Sequence, residues 1–418
     1  MLSALFLVMY QTTTAQELFG ETNDTTRHSL KSNYKMKANT KEVEANFLSS
    51  YYNQDGNNSA VTGGLGTEEL TDFANVFIIN VPLDSINSVS LFAGADAYSS
   101  ASTDNIDSNV SSASAEDTRS YGTLSYNRKN LNRNEAYGVR AGFSTEYDYL
   151  SFSTGISYTK EWNEGNTELN FTGQAFFDQW LGQEDSDGLI YPEMWLGEFL
   201  GYPDHSISNR NSYNAQLFLS QVINTRLQVG VSAEMIYMTG LLSTPFHSVY
   251  FSDLEDYAFD IERLPSRRLK VPLGVRLNYF PLDFLVLRTY YRYYFDDFGI
   301  KAHTIEIETP IKLSSVYTVS PFYRYHQQTA AIYFAPKNMH LSTDEYYTSD
   351  YDLSALFSHK IGVGFKYYPD YGILRSKPLF KTFGVFMFKY AEIRAAYYYR
   401  STDLSAFNVS INLGFSFK

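Results

Sequence analysis

Arg276, Arg288, Arg292, Glu306, Glu308, Lys312, Arg324, His326, Lys366, Glu392, Arg394 and Arg400 crowd the C-terminal half of the chain. They are titratable side chains of both signs, set at even spacing within short segments. Two kinds of chemistry suit such a set. The charges can neutralise one another as a ladder of ion pairs that satisfies a polar interior, since isolated buried charge is expensive. Alternatively they can form a charged wall that sets the ion or solute preference of a pore. Removing Arg292 separates the two: a structural ladder loses stability, whereas a selectivity wall changes conductance while the fold persists.

A second set lies near the N-terminus. Asp55, Asn57, Glu68, Glu69 and Asp72 are close in sequence, with Ser and Thr among them. Oxygen ligands of this kind suit Ca²⁺. The plainer reading is a group of turn formers in a surface loop. "GGLG" at Gly63–Gly66 lacks the lysine and following helix of a phosphate loop and is read as a tight turn. The histidines are His28, His205, His247, His303, His326, His340 and His359. No G-x-S-x-G or H-E-x-x-H accompanies them, so the chain is not expected to be an enzyme. It has no cysteine, which excludes disulfides and thiol chemistry. The net charge of −13 argues against a nucleic-acid surface.

The elements that must position these side chains are strands. In "FNVSINLGFSFK" Val409, Ile411, Leu413, Phe415 and Phe417 alternate with Ser410, Asn412, Gly414 and Ser416. The same period recurs in Leu269, Val271, Leu273, Val275, Leu277 and Tyr279, in Ile305, Ile307, Ile311 and Leu313, and in Ile361, Val363, Phe365 and Tyr367. Side chains alternate across a strand, so each such segment meets something apolar on one face and something wet on the other. Segments of about ten residues with this pattern are the mark of a transmembrane β-barrel. Strands are expected near 43–52, 70–80, 88–98, 119–128, 135–144, 149–161, 166–179, 212–223, 226–238, 268–280, 283–296, 301–312, 316–334, 357–367, 389–400 and 405–417. The expected fold is therefore all-β: an antiparallel barrel of about 16 strands, within a range of 14 to 18.

Loop lengths agree. The long connections 53–69, 99–118, 180–211, 239–267 and 335–356 all follow odd-numbered strands, as one end of a barrel requires, and the even connections are short. The exception is 368–388, either a long segment at the other end or a miscounted strand. The long loops are strongly acidic, so the remainder is slightly basic. They read as a solvated surface or as a vestibule that concentrates cations. Aromatics form 17% of the chain and Tyr supplies 36 residues, which suits two membrane–water boundaries. Residues 1–15 read as a signal peptide, 16–40 as a disordered periplasmic tail and 41–418 as the barrel. The Ser/Ala run at 99–115 reads either as a lumen constriction or as a disordered loop.

The stretches "YYNQDGNNSAVTGGLGTEELTD", "SSASTDNIDSNVSSASAEDTRSYG", "SPFYRYHQQTAAIYFAP" and "DEYYTSDYDLS" resemble a family of Bacteroidetes-type outer-membrane proteins carrying the label DUF3570. That resemblance implies an integral outer-membrane barrel, often encoded beside a small lipoprotein, a thioredoxin-like protein and a flavin transferase. It hints at a role near extracytoplasmic redox or metal handling and offers no catalytic residue to carry over. The expected partners are outer-membrane lipids, the barrel-assembly machinery (which would read the terminal strand and Phe417) and a small lipoprotein. The leading expectation is a channel or transporter for small solutes or ions. The other is a closed scaffold barrel that docks a partner through its long loops. No cofactor other than Ca²⁺ is expected.

Overall fold

Sixteen strands hydrogen-bond side by side until the last pairs with the first. A computed structural model describes residues 42–100, 116–146, 149–180, 209–244, 247–254, 259–376 and 385–417. The signal peptide and tail expected over 1–40, and most of the Ser/Ala run, lie outside these residues. The strands are β1 Val43–Gly56, β2 Leu70–Pro82, β3 Asn87–Ser100, β4 Glu116–Asn130, β5 Glu135–Thr145, β6 Tyr149–Trp162, β7 Thr167–Trp180 and β8 Asn209–Asn224. There follow β9 Leu227–Gly240, β10 Arg267–Leu282, β11 Leu285–Asp296 and β12 Lys301–Glu308, which resumes at Ile311–Lys312. The ring ends with β13 Tyr317–Gln328, β14 Leu356–Tyr367, β15 Phe386–Arg400 and β16 Leu404–Phe417. Every neighbouring pair is antiparallel, and closure leaves no free edge.

The outside of the ring is apolar. Leu124, Val139, Phe152, Ile156, Leu273, Val275, Ile305, Ile361, Val363 and Ile393 all point outward and are exposed. Tyrosines and phenylalanines gather at both ends of this outer face: Tyr51, Tyr213, Tyr237 and Tyr399 at one, Tyr126, Tyr137, Tyr279 and Tyr317 at the other. Lipid contact requires such a band between two aromatic rims.

Among the described residues, the long connections after β1, β9 and β13 lie together at one end. Residues 368–376 lie at the other end and carry a short strand, Leu374–Ser376, paired with the start of β15, so the strand count stands. Strand β13 stops at Gln328, earlier than the pattern 316–334 suggested. Beyond it Ala331 donates its N–H to the Leu353 carbonyl and Ile332 to the Phe298 carbonyl, so the chain turns into the loops.

Three loops and the β11–β12 turn form one packed cluster at the long-loop end. Leu242, Leu264, Phe298, Ile300 and Ala331 make its core, with Tyr333, Phe334 and Leu353 against them. Residues 241–266 and 329–355 are joined by the backbone bridges Phe251–His340 and Arg263–Tyr347. The loop after β1 packs on both. Gly63 and Gly64 have φ of 79° and 82°, and a Cβ on Gly64 would lie 2.6 Å from the Ser349 carbonyl oxygen. Glycine is needed here for backbone conformation and for close approach.

Candidate functional site: the charged inner wall and its outer loop cluster

Strand register decides which side chains share the lumen. Across β10–β15, Gly274, Arg292, Thr304, His326, Ser358 and Arg400 form one row of partners. Arg276, Tyr290, Glu306, Arg324, Lys360 and Tyr398 form the next. Asn278, Arg288, Glu308, Phe322, Gly362 and Ala396 form a third. Lys366 faces Glu392, and Lys312 faces Thr318 at the short-turn rim. All twelve wall residues singled out from the sequence therefore face inward.

The structure does not use them alike. Arg288, Glu308, Arg394, Glu392 and Lys366 make a continuous chain of alternating sign. The successive separations are 3.6 Å, 3.1 Å, 3.5 Å and 3.9 Å. Gly364 lets this happen: it carries no side chain where Arg394 lies flat, and an added Cβ would sit 3.3 Å from Arg394 Cγ. Arg394 also covers the Phe322 ring at 4.9 Å, and Arg276 covers the Tyr290 ring at 5.1 Å. His326 bonds to Thr304 Oγ1 at 2.9 Å and to Gln328 Oε1 at 3.2 Å. Arg292, Glu306 and Arg324 make no ion pair among the described residues. Arg292 has Glu234 of β9 within electrostatic reach.

Arg400 works differently. It sits at the outer end of the wall, 6% exposed, and points into the loop cluster, 2.5 Å from Asp352 Oδ1 and 3.5 Å from Glu68 Oε2. Burial pushes the Glu68 carboxyl up to about 8, with Arg400 pulling the other way.

Further inward charges were missed by the sequence reading. Arg268 pairs with Asp296 at 2.5 Å, and Tyr294 donates to the same carboxylate at 2.7 Å. Two strands from Arg268, on β8, Arg210 pairs with Asp178 at 3.1 Å and bonds to the Tyr149 hydroxyl, while Ser151 donates to Asp178 at 2.7 Å. Arg119 pairs with Glu146 at 3.3 Å. Strand parity signalled Arg268, Asp178 and Arg119, but no sequence rule announced their partners. Between these pairs, β6–β8 line the lumen with Ser153, Gln174, Asn214 and Gln216, flanked by Arg140 of β5 and Glu234 of β9. The inner faces of β1, β2 and β16 are closely covered: Gln54, Val76, Ile78, Leu404 and Ala406 are all buried.

The residues considered for Ca²⁺ are not brought to one point. Asp55 and Asn57 are exposed at the outer end of β1, and Glu69 is also exposed. Glu68 turns inward to Arg400, and Asp72 faces the lumen on β2. Among the described residues, the group with ligand atoms close enough to share a metal ion is His247, Glu262 and Asp350, inside the loop cluster. Sequence gave no spacing signal for it. Burial, then Asp352, pushes Asp350 up to about 6. Burial opposes protonation of His247, but Glu262 and Asp350 outweigh it and move the imidazole upward.

Comparison with known proteins gives a family and several solved structures of low overall similarity. A bacterial polysaccharide outer membrane secretin overlaps 90% of this chain and 98% of its own, at 11% identity and a TM-score of 0.45. The siderophore receptor PirA from Pseudomonas aeruginosa overlaps 88% and 80%, at 11% identity and 0.40. The outer membrane protein opdK from Pseudomonas aeruginosa overlaps 90% and 99%, at 10% identity and 0.37. No curated protein matches the chain in sequence. The model of the family described as "protein of unknown function (DUF3570)" matches residues 14–369.

Proposed function

We propose that this chain, which belongs to the DUF3570 family, is an outer-membrane channel or transporter whose inner wall favours small anionic solutes. One observation carries this reading: cationic side chains predominate on the lumen face of β10–β15. Arg268, Lys270, Arg276, Arg288, Arg292, Lys312, Arg324, Lys360, Lys366 and Arg394 share this face with Asp296, Glu306, Glu308 and Glu392, and Glu234 lies beside them on β9. The ladder consumes part of the positive charge. Arg292 and Arg324 are left to act on whatever occupies the lumen. Fixed charge on the wall of a narrow aqueous path raises the local concentration of counter-ions. In this reading the apolar outer band sits in the outer membrane, the long loops face the exterior and the short turns face the periplasm.

The test is electrical. Purified protein in a planar bilayer under a KCl gradient is expected to conduct with a reversal potential on the chloride side. The double variant Arg292→Ala/Arg324→Ala is expected to move that potential toward the potassium side while the barrel stays folded. A reversal potential identical in the two proteins would overturn the role given to these arginines.

A second reading has its own support. The close covering of the β1, β2 and β16 inner faces fits a filled interior that serves as a scaffold for a lipoprotein or another envelope partner. Absence of conductance steps at any voltage would favour it.

A further inference from the structure

His247, Glu262 and Asp350 belong neither to the lumen wall nor to its ion-pair ladder. His247 and Glu262 flank a two-stranded hairpin in which Ser248 pairs with Ile261, and the Glu262 N–H donates to the His247 carbonyl at 2.8 Å. Asp350 arrives from the other loop, 88 residues beyond Glu262 in sequence. His247 Nδ1 lies 3.6 Å from Glu262 Oε1 and 3.8 Å from Asp350 Oδ2, and all three ligand atoms lie within 4.8 Å of one another.

Three features distinguish this trio from a chance meeting of polar groups. First, His247 Nδ1 is buried and has no hydrogen-bond partner, although it faces both carboxylates. Its separations are too long for hydrogen bonds. They are close to the ligand-to-ligand edge of a tetrahedral zinc site, roughly 3.4 Å for bonds of about 2.1 Å. Second, the carboxylates are held from behind. Glu262 Oε2 accepts the Thr244 N–H at 2.6 Å, and Oε1 accepts the Thr348 hydroxyl at 2.6 Å. Asp350 Oδ1 accepts the Asp352 N–H at 2.9 Å, leaving Oδ2 turned to His247. Outer partners of this kind fix the orientation of metal ligands. Third, Glu262 is 1% exposed. A neutral imidazole with the buried Glu262 and the half-buried Asp350 carboxylates carries two negative charges, which a dication cancels.

We infer that His247 Nδ1, Glu262 Oε1 and Asp350 Oδ2 bind one divalent first-row transition ion of the zinc type. One imidazole and two carboxylates suit such an ion, whereas Ca²⁺ and Mg²⁺ call for six or more oxygens. The ion staples the loop at 241–266 to the loop at 329–355, so that its binding energy becomes docking energy of the loop cluster.

The test uses the full chain in detergent, stripped with EDTA and dialysed against Zn²⁺, with Co²⁺ as a spectroscopic probe. About one ion per chain is expected, with slower protease cleavage of the loop cluster when it is loaded. His247→Ala and Asp350→Asn are expected to weaken binding by about tenfold or more. His359→Ala, on the outer face of β14 and away from the loop cluster, is expected to bind as the parent does. Heat-dependent gel mobility reports barrel folding in every variant. The near-isosteric Asp350→Asn decides the matter if His247→Ala fails to fold. Parent protein that takes up no Zn²⁺ after dialysis, or an Asp350→Asn variant that binds as the parent does, would overturn the proposal. The first result would leave the trio a protonated imidazole held between two carboxylates.

Discussion

On the inner wall, Glu308 meets Arg288 on the neighbouring strand and Arg394 three strands away. In the loop cluster, Arg400 meets Glu68 and Asp352, residues 332 and 48 positions away. The wall pairs are partly solvated: Arg288 is 36% exposed and Arg394 25%. Arg400 is 6% exposed. A charge on a strand is aimed by register, and water shares the work of neutralising it. A charge in the cluster is aimed by tertiary packing and depends on its partners alone. The wall should tolerate loss of one member, and the cluster should not.

The largest effect is expected from Arg400→Met. It leaves the half-buried Asp352 carboxylate without its cation and Glu68 without its neighbour, at about 3 kcal/mol, the low end for a broken buried pair. Protease cleavage within 329–355 is expected to accelerate while the thermal transition of the barrel moves little, since strands keep their ladders. Equal loss in both measurements would erase the distinction between the two regions. Glu308→Gln is next. It breaks two partly solvated contacts, for about 1 kcal/mol by the scale of exposed pairs. Here the barrel transition is expected to fall slightly, with loop cleavage unchanged.

The smallest effect comes from pH. The folded-state pKa of Glu68, about 8, lies above its ordinary value, so the folded cluster keeps a proton that the unfolded chain releases. Stability from this group is fully present below the ordinary carboxylate range and is lost as pH rises through about 8. Loop protection is therefore expected to weaken from pH 5 toward pH 8, and Glu68→Gln is expected to flatten that slope. A slope unchanged by the substitution would assign it to other groups.

Much of the wall was legible beforehand because period-two alternation and register are local properties. Leu269, Leu273 and Leu277 mark the outer face of β10, so Arg276 had to face inward, and Tyr290, Arg324 and Lys360 followed once the strands were counted. The end of β13 was misjudged for the opposite reason. "HQQTAAIYF" continues as a plausible strand, and only the carbonyls of Phe298 and Leu353 draw it away. The five residues weighed for Ca²⁺ show the limit of proximity in sequence. Asp55 and Asp72 lie on adjacent strands yet on opposite faces of the sheet.

Alternation of greasy and polar side chains, together with the sorting of loop lengths, determined a ring of about sixteen strands and the inward aim of its charges, because both follow from the chain's own repeat. Which of those charges pair and which remain for the lumen was decided by side-chain packing across the closed ring, and His247 came to face Asp350 only when distant loops packed on one another. Such contacts depend on side-chain volume and backbone approach between segments that share no period, and no local pattern encodes them.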